Sequence, residues 1–420
     1  MKEKEIETMR NSFKTVVNKR RSILEDPQTK KLQEKVRSIR KEAIKNNKKL
    51  LKIAENSFKT NDIDYFYADD DKEAQNIIYD IITSENLEKS DFQLIAKSKS
   101  NTLGEIAISK YLKSKGFEVV ETDLGDRILQ LKGENNKPTH PTGPASHLNV
   151  EEIANIVNNA MNKSNKDVNN NHENIIIPPE PKAIMETVRG DVLEKIAKSQ
   201  IGISGSNAVA AEDGSLVFIH NEGNISLISL MKTHIIVVGI DKFVKTIEDA
   251  ISIAKLETIY ATGSKITSYI NIVSGPSKTA DIEKKLLKNM YGAEKVVVII
   301  LDNGRSRAIA EAQETMYCIG CGSCIVSCPV YNAVGNEFGF NNYLGGRGIA
   351  MSKFIEDDNI SYDSGLYMCT LCGLCRFNCP VSIPTSEIIE KLRFSSKNNG
   401  FYPKIHEKFK NNIKEKGSPY

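Results

Sequence analysis

All eight cysteines of the 420-residue chain fall into two runs with the same spacing. Cys318, Cys321, Cys324 and Cys328 spell CxxCxxCxxxCP, closed by Pro329, and Cys369, Cys372, Cys375 and Cys379 spell it again, closed by Pro380. Three thiolates separated by two residues each reach three irons of a cubane from one tight loop. The fourth, followed by proline, points out of that loop and in two-cluster proteins ligates the other cluster. The spacing therefore predicts two [4Fe-4S] clusters, one held by Cys318, Cys321, Cys324 and Cys379, the other by Cys369, Cys372, Cys375 and Cys328. Structural zinc is the competing reading, but it calls for two CxxC pairs rather than a doubled triplet with a trailing CP. A disulfide framework belongs to small secreted scaffolds, which this chain does not resemble. Gly320, Gly322 and Gly373 fit the cluster reading, because backbone without a side chain lets amides turn toward sulfur. The chemistry implied is one-electron transfer.

The scaffold for these loops is large. At 420 residues, 40% of them apolar, the chain has material for two or three domains with a substantial core. It shows no run of about 20 apolar residues. The N-terminal MKEKEIETMR has no apolar signal region, so a soluble, cytoplasmic protein is expected. The formal charge of +3 counts the thiols as neutral. Each oxidised cubane with four thiolates adds about two negative charges, which weakens any argument for nucleic acid from charge alone.

Three regions follow along the chain. Residues 1–60 are rich in Lys, Arg and Glu, with Leu32, Val36, Ile39, Ile44, Leu50, Leu51 and Ile53 at near-helical spacing. They predict an amphipathic helical arm, broken near Pro27, on which Lys19, Arg20 and Arg21 read as a solvated face rather than an RNA or membrane contact. Residues 61–305 alternate strands and helices, the pattern of a layered α/β domain. QLIAKS, FEVVETDL, SLVFI, HIIVVGI and KVVVIIL read as strands. GEIAISKYLKSKG (ended by Gly116), VEEIANIVNNAM and FVKTIEDAISIAK read as helices, and NKSNKDVNNNHENIIIPPEP as an exposed loop. Residues 306–420 hold the cysteines together with the helices GGRGIAMSKFIED and IPTSEIIEKLRFSS, the latter with Pro384 in its first turn. An all-α, helical ferredoxin module is expected there.

Longer segments carry a family resemblance. MRNSFKTVVNKRRSILEDP, AKSKSNTLGEIAISKYLKSKGFEVVETDLGDRILQL, IGISGSNAVAAEDGSLVFIHNEGN, TADIEKKLLKNMYGAEKVVVIILDNGRSRAIA and CIGCGSCIVSCPVY occur in that order between residues 5 and 380. Together they resemble the lactate utilization protein B family, in which a LUD domain precedes a two-cluster ferredoxin module. The resemblance implies a LUD fold like the CoA-transferase and folate cyclo-ligase layered sheets, and an iron–sulfur subunit of an L-lactate oxidising system. Two segments depart from the family pattern. The strand around HPTGPASH is interrupted by Pro141 and Pro144. The 41 residues after Cys379 end in HEKFKNNIKEKGSPY, which resembles the tail of the small cluster subunit of heterodisulfide reductase. That likeness implies a Cys-rich CCG-domain iron–sulfur partner, with a second LUD protein as a further candidate. The apolar residues Phe394, Phe401, Tyr402, Ile405, Phe409 and Ile413 either form the docking surface or pack over the ferredoxin core.

No catalytic set stands out in the LUD region. Glu212, Asp213, Gly214, Asn221, Glu222, Gly223 and Asn224 cluster around an expected hairpin and match family signatures. Glu212, Asn221 and Glu222 are candidate pocket residues at strand ends, with turn chemistry as the alternative. SGSN at 204–207 and GDR at 125–127 could offer amides to an anion. His140 and His147 are candidate ligands or acid/base groups, although lone histidines are more often structural. There is no GxGxxG after a strand, no phosphate-binding Gly-Lys-Ser/Thr loop and no HExxH. With one-electron centres and no recognisable hydride acceptor, the expected role is a relay in a 2-hydroxy-acid oxidising complex. The alternatives are a heterodisulfide-reductase-like relay for another donor and acceptor, and a LUD ligand-binding or transferase enzyme with structural clusters.

Overall fold

Valine and isoleucine dominate the runs THIIVVG and KVVVIIL, and both are buried along nearly their whole length, as strands covered on both faces must be. They are the centre of a six-stranded, all-parallel sheet in a computed structural model that describes residues 1–85, 94–133, 137–168 and 176–420. The strand order is Ile63–Ala68, Lys295–Leu301, Thr233–Gly239, Ile201–Gly205, Leu94–Lys97, Glu118–Glu121. The first of these is an edge strand and leaves Phe66 and Tyr67 exposed. One face of the sheet packs Ile235, Val237, Val297 and Ile299 against helices carrying Ile78, Ile82, Leu103 and Leu112. The other faces a small mixed sheet, ordered Phe243–Val244, Ala208–Ala210, Leu216–His220, Tyr269–Val273, and the helix Ile247–Thr262.

The first 60 residues form the helices Glu3–Glu25, Pro27–Lys45 and Asn47–Thr60. Pro27 starts the second helix, where its missing N–H breaks no ladder bond, and Asp26 caps it by accepting from Gln28 N at 3.0 Å. The helices lie in the common core rather than standing out as an arm. Met9, Phe13, Val36, Ile44 and Phe58 belong to one apolar cluster with Phe243 and Leu256 of the α/β layers and Tyr331 and Phe354 of the cysteine region. Arg20 departs from the solvated face expected of it. Only 3% exposed, it donates through Nη1 to Tyr260 O at 3.2 Å and Ser323 Oγ at 2.7 Å, while Lys19 and Arg21 stay in water.

Local departures have local causes. The GEIAISKYLKSKG helix is two helices, Asn101–Glu105 and Ile108–Ser114, because Ala107 takes a left-handed φ of 45° between them. In FVKTIEDAISIAK the pair Phe243–Val244 is strand and the helix starts after Thr246, whose side chain accepts from Asp249 N. The segment HPTGPASH is turns and bends, with Thr139 N–H closing on Pro144 O at 3.0 Å. The first part of the expected NKSNKDVNNNHENIIIPPEP loop is the end of the helix Val150–Val168, and its residues 169–175 lie outside the described residues. After Pro181 the chain enters a helix, Pro181–Lys198, that periodicity did not announce. The cysteine region is mainly helical, with Gly345–Ile355, Thr385–Asn398 and Ile405–Lys416 as its longer helices, but it is not all-α, since Gly339–Phe340 pairs antiparallel with Tyr343–Leu344 across a tight turn. Pro384 caps the helix Thr385–Asn398 from just outside it.

Candidate iron–sulfur and ligand site

The two motifs build matching loops. Each triplet ends in a four-residue helix, Ser323–Val326 or Leu374–Phe377, entered from a left-handed glycine, Gly322 or Gly373. The two motifs lie close enough for their thiols to act on one another, Cys375 on Cys324 among them. Cys379 crowds electrostatically against Cys318, Cys321 and Cys324, while Cys328 faces Cys369 and Cys375, and Cys375 also faces Cys372. Backbone N–H groups point at sulfur in both sets, among them Gly320 N to Cys318 Sγ at 3.4 Å and Tyr331 N to Cys328 Sγ at 3.5 Å.

Burial and the neighbouring thiols push Cys321 and Cys324 well above the ordinary thiol range, and burial raises Cys379 to about 11 even though three backbone amides favour its thiolate. Thiolates gathered this closely out of water require cationic charge among them, which is what a ferric–ferrous cube supplies. The donor set fits two cubanes: soft sulfur ligands, three from one loop and one from the other in each set, with amides directed at the sulfurs.

Buried charge joins the sheet to the cysteine region. Arg305, just past the strand Lys295–Leu301, donates to Glu105 at 2.7 and 2.8 Å and to Asp241 at 2.9 Å, and Tyr343 donates to the same Glu105. Burial alone would raise Asp241, yet Lys242, Arg305, Arg40 and Arg347 hold it down at about 2. The sequence carries Arg305 in DNGRSR directly after a buried strand. Nothing local names its partners, which are 64 and 200 residues away.

A cavity of about 250 Å³ lies at the carboxyl ends of the parallel strands, where open α/β sheets bind ligands. Lys99, Asp123, Asn207, Lys242 and Glu257 line it, and Ile319 and Gly320 of the first cysteine loop form part of its wall. Glu257 connects the two. Its Oε2 accepts from Asn207 Nδ2 at 3.0 Å, and its Oε1 lies 3.2 Å from where a Cβ on Gly320 would stand. Burial pushes its carboxyl up to about 7 against the pull of Lys242, Asn207 and Lys99. Sequence reading missed Glu257, and the available signal was a single carboxylate on the buried face of IEDAISIAKLETIYAT.

The candidate pocket residues divide. Asn221 and Glu222 reach the cavity, with Asn221 Oδ1 accepting from Ser268 N and Glu222 Oε2 from Leu124 N, each at 3.0 Å. Glu212 sits at the other end of the hairpin, exposed and 3.6 Å from Lys245, next to Asp213 and the turn glycine Gly214. Gly205, Ser206 and Asn207 of SGSN line the cavity. In GDR the amides of Gly125 and Asp126 are taken by Asp123 Oδ1, and Arg127 pairs with Asp191 at 2.7 Å. His140 accepts from Thr142 N at 3.2 Å through Nδ1, which leaves the proton on Nε2, packed against Gly322. Burial holds its pKa down at about 4. His147 is also buried and lowered, with Nδ1 3.2 Å from Thr139 Oγ1.

Comparison with known proteins reproduces this two-part layout. The model of the LUD domain matches residues 51–301, and that of the 4Fe-4S dicluster domain matches residues 314–383. Lactate utilization protein B of Geobacillus thermodenitrificans is 34% identical over 362 residues, covering 84% of this chain and 69% of that one. The chain belongs to the lactate utilization protein B family. The Bacillus cytotoxicus member is 34% identical over 348 residues, 82% of this chain and 67% of its own, and the Geobacillus sp. (strain WCH70) member is 33% identical over 332 residues. The last match spans 78% of this chain but only 64% of that relative's length. A DUF162 family protein from Deinococcus radiodurans aligns over 61% of this chain at 11% identity, with a TM-score of 0.31. Family membership makes this a LUD α/β domain joined to an iron–sulfur domain. Among the described residues no helix is long and apolar enough to cross a membrane.

Proposed function

We propose that the chain is the electron-transfer subunit of a cytoplasmic complex oxidising a 2-hydroxy acid, L-lactate to pyruvate, by way of two [4Fe-4S] clusters. The observation that carries this reading is the doubled cysteine motif within a 4Fe-4S dicluster match, with the charge of Cys379 acting among Cys318, Cys321 and Cys324 and that of Cys328 beside Cys369 and Cys375. Cys318, Cys321, Cys324 and Cys379 would hold an inner cluster, and Cys369, Cys372, Cys375 and Cys328 an outer one. When bound, the cubanes supply one-electron steps. The chain's own residues fix the thiolates, direct amides at sulfur and bury Cys321 of the inner set. The names of the relatives supply the substrate, and in this reading the alcohol oxidation takes place on a partner that carries a two-electron cofactor. That partner is a CCG-domain iron–sulfur protein, with a second LUD protein as a further member.

Docking at the outer cluster suits the exposure there. Phe377 is 86% exposed beside Cys379, and Phe394, Ile405 and Ile413 are also open to solvent. The working division is a helical segment 1–60, a LUD unit 61–305 and a ferredoxin unit 306–420. Asn221 and Glu222 belong to the LUD cavity as a ligand site, which also keeps a ligand-binding or transferase role in view.

Anaerobically prepared protein should contain about eight irons and show an absorbance near 400 nm that bleaches on reduction. About two zincs and no iron would refute the reading. Deleting residues 400–420 should abolish co-purification of the partner while both clusters remain. Purified chain that turns over lactate with an artificial acceptor would refute the relay role.

A further inference from the structure

Two buried arginines, Arg20 and Arg40, and the part-buried Arg347 stand about the first thiol set. Arg40, 1% exposed, donates to Met316 O at 2.5 Å and Tyr317 O at 3.2 Å, the two residues leading into Cys318. Arg20 reaches the same loop from the N-terminal helix through Ser323 Oγ at 2.7 Å, and its charge acts on Cys321 and Cys324. Arg347 stacks over the Tyr343 ring at 5.3 Å and acts on Cys318 and Cys324. Its buried Nε–H has no hydrogen-bond partner among the described residues. A buried donor left over in this way calls for an explanation, and a sulfur of the neighbouring cube would be an acceptor for it.

The arginines beside the second motif are placed differently. Arg393, part-buried like Arg347, is spent on the carbonyls of Leu366 and Cys369, and Arg376 is exposed and paired with Glu387. Cys372 itself is exposed.

We propose that Arg20, Arg40 and Arg347 hold the inner cluster at a higher reduction potential than the outer one, so that electrons entering at the exposed outer cluster come to rest on the inner cluster, against the wall of the LUD cavity. This rests on the two-cluster reading and adds to it a direction and the residues that set it. Reduction adds one negative charge to a cube, so nearby positive charge and donors to sulfur favour it while burial opposes it. Burial also strips the screening from the arginines, whose effect grows as the local dielectric falls. Three guanidiniums about one loop act against the desolvation of that loop, and the order of the two midpoints reads which of them prevails. Electrons would then be held beside Gly320 and Glu257, where the cavity meets the inner cluster.

The test is a potentiometric titration of anaerobic holoprotein followed by electron paramagnetic resonance, with Cys372→Ser used to mark the outer signal. In wild-type protein the marked signal should appear at the lower of two potentials. Arg347→Gln should move only the other midpoint to more negative potential, and Arg347→Lys should move it less. Should Arg347→Gln lose iron, Arg20→Gln carries the same expectation, and the wild-type order is a test without any arginine variant. An outer cluster that reduces at the higher potential would overturn the proposal. So would an inner midpoint indifferent to loss of the Arg347 charge at full iron content. Protein with fewer than two clusters would instead count against the relay reading itself.

Discussion

The two cysteine loops share a spacing but sit in opposite surroundings. Around Cys318–Cys328, Cys321, Gly322, Ser323, Ile325 and Val326 are buried, and elements from residues 20, 40, 140, 257 and 347 close over the loop. Around Cys369–Cys379 the short helix Leu374–Phe377 buries none of its residues, and Cys372 faces solvent. Local spacing thus sets what a loop can bind, whereas the rest of the fold sets whether the bound group is insulated or offered to a partner. An inner relay centre and an outer port can be built from one motif used twice.

The largest expected effect tests the crossing that joins the loops. Cys328→Ser, a change in the first motif, should damage the outer cluster, and Cys379→Ser, in the second, should damage the inner one. Iron analysis with paramagnetic resonance of each reduced variant tells the two signals apart. Loss of the cluster belonging to the mutated motif in both cases would mean that each motif serves its own cube.

Next comes the pair of equivalent glycines. Gly322 and Gly373 have φ of 70° and 76°, so alanine at either meets left-handed strain of about 1–2 kcal/mol. Only at Gly322 would the new Cβ meet a neighbour, the buried His140 ring with Nε2 at 2.4 Å, whereas nothing lies within 4 Å at Gly373. Overpacking of that kind adds about 1–3 kcal/mol. Gly322→Ala should therefore lower the unfolding midpoint clearly more than Gly373→Ala and loosen the inner cluster. Equal effects would indicate that the inner loop is free to shift.

These asymmetries also mark how far the sequence could be read. The iron–sulfur domain was legible because CxxCxxC is a local pattern, and the central strands because THIIVVG and KVVVIIL are unbroken apolar runs. Arg20, Arg40 and Glu257 were not, since their meaning lies in distant partners. Arg20 meets Ser323 from 303 residues away, and Arg40 meets Met316 from 276. In sequence Arg20 reads as one more cation in NKRRS. Asn221 and Glu222, read as strand-end residues, line the cavity, whereas Glu212, read with them and close in sequence, lies at the far end of the same hairpin.

Behind the inner loop lies a carboxyl, and that difference should be visible in pH dependence. Glu257 titrates at about 7 in the folded protein, above its ordinary 4.5. Its stabilisation is therefore full below about pH 4.5 and is lost as pH rises through about 7, an effect on the order of 3 kcal/mol at most. Glu257→Gln should flatten the stability profile across that interval relative to wild type, measured by denaturant unfolding of holoprotein at fixed ionic strength. Parallel wild-type and variant profiles would show that the Glu257 carboxyl does not titrate there.

The smallest expected effect concerns the position before the second cysteine of each triplet. Gly320 stands there in the inner loop with φ of 86°, and Leu371 in the outer loop with φ of 56°, a left-handed conformation that a leucine adopts at a cost. Leu371→Gly relieves about 1–2 kcal/mol of that strain. It also gives up about 0.5–1 kcal/mol to the greater freedom of glycine in the unfolded chain, and about 1 kcal/mol from a half-buried side chain. The contributions nearly cancel, so the melting midpoint should move little and iron content should stay full. The reverse change, Gly320→Leu, drives a side chain toward Glu257 Oε1 and should disrupt the inner loop. Leu371→Gly protein that loses its outer cluster would show that the exposed loop is held as rigidly as the buried one, and the contrast between port and relay would fail at this position.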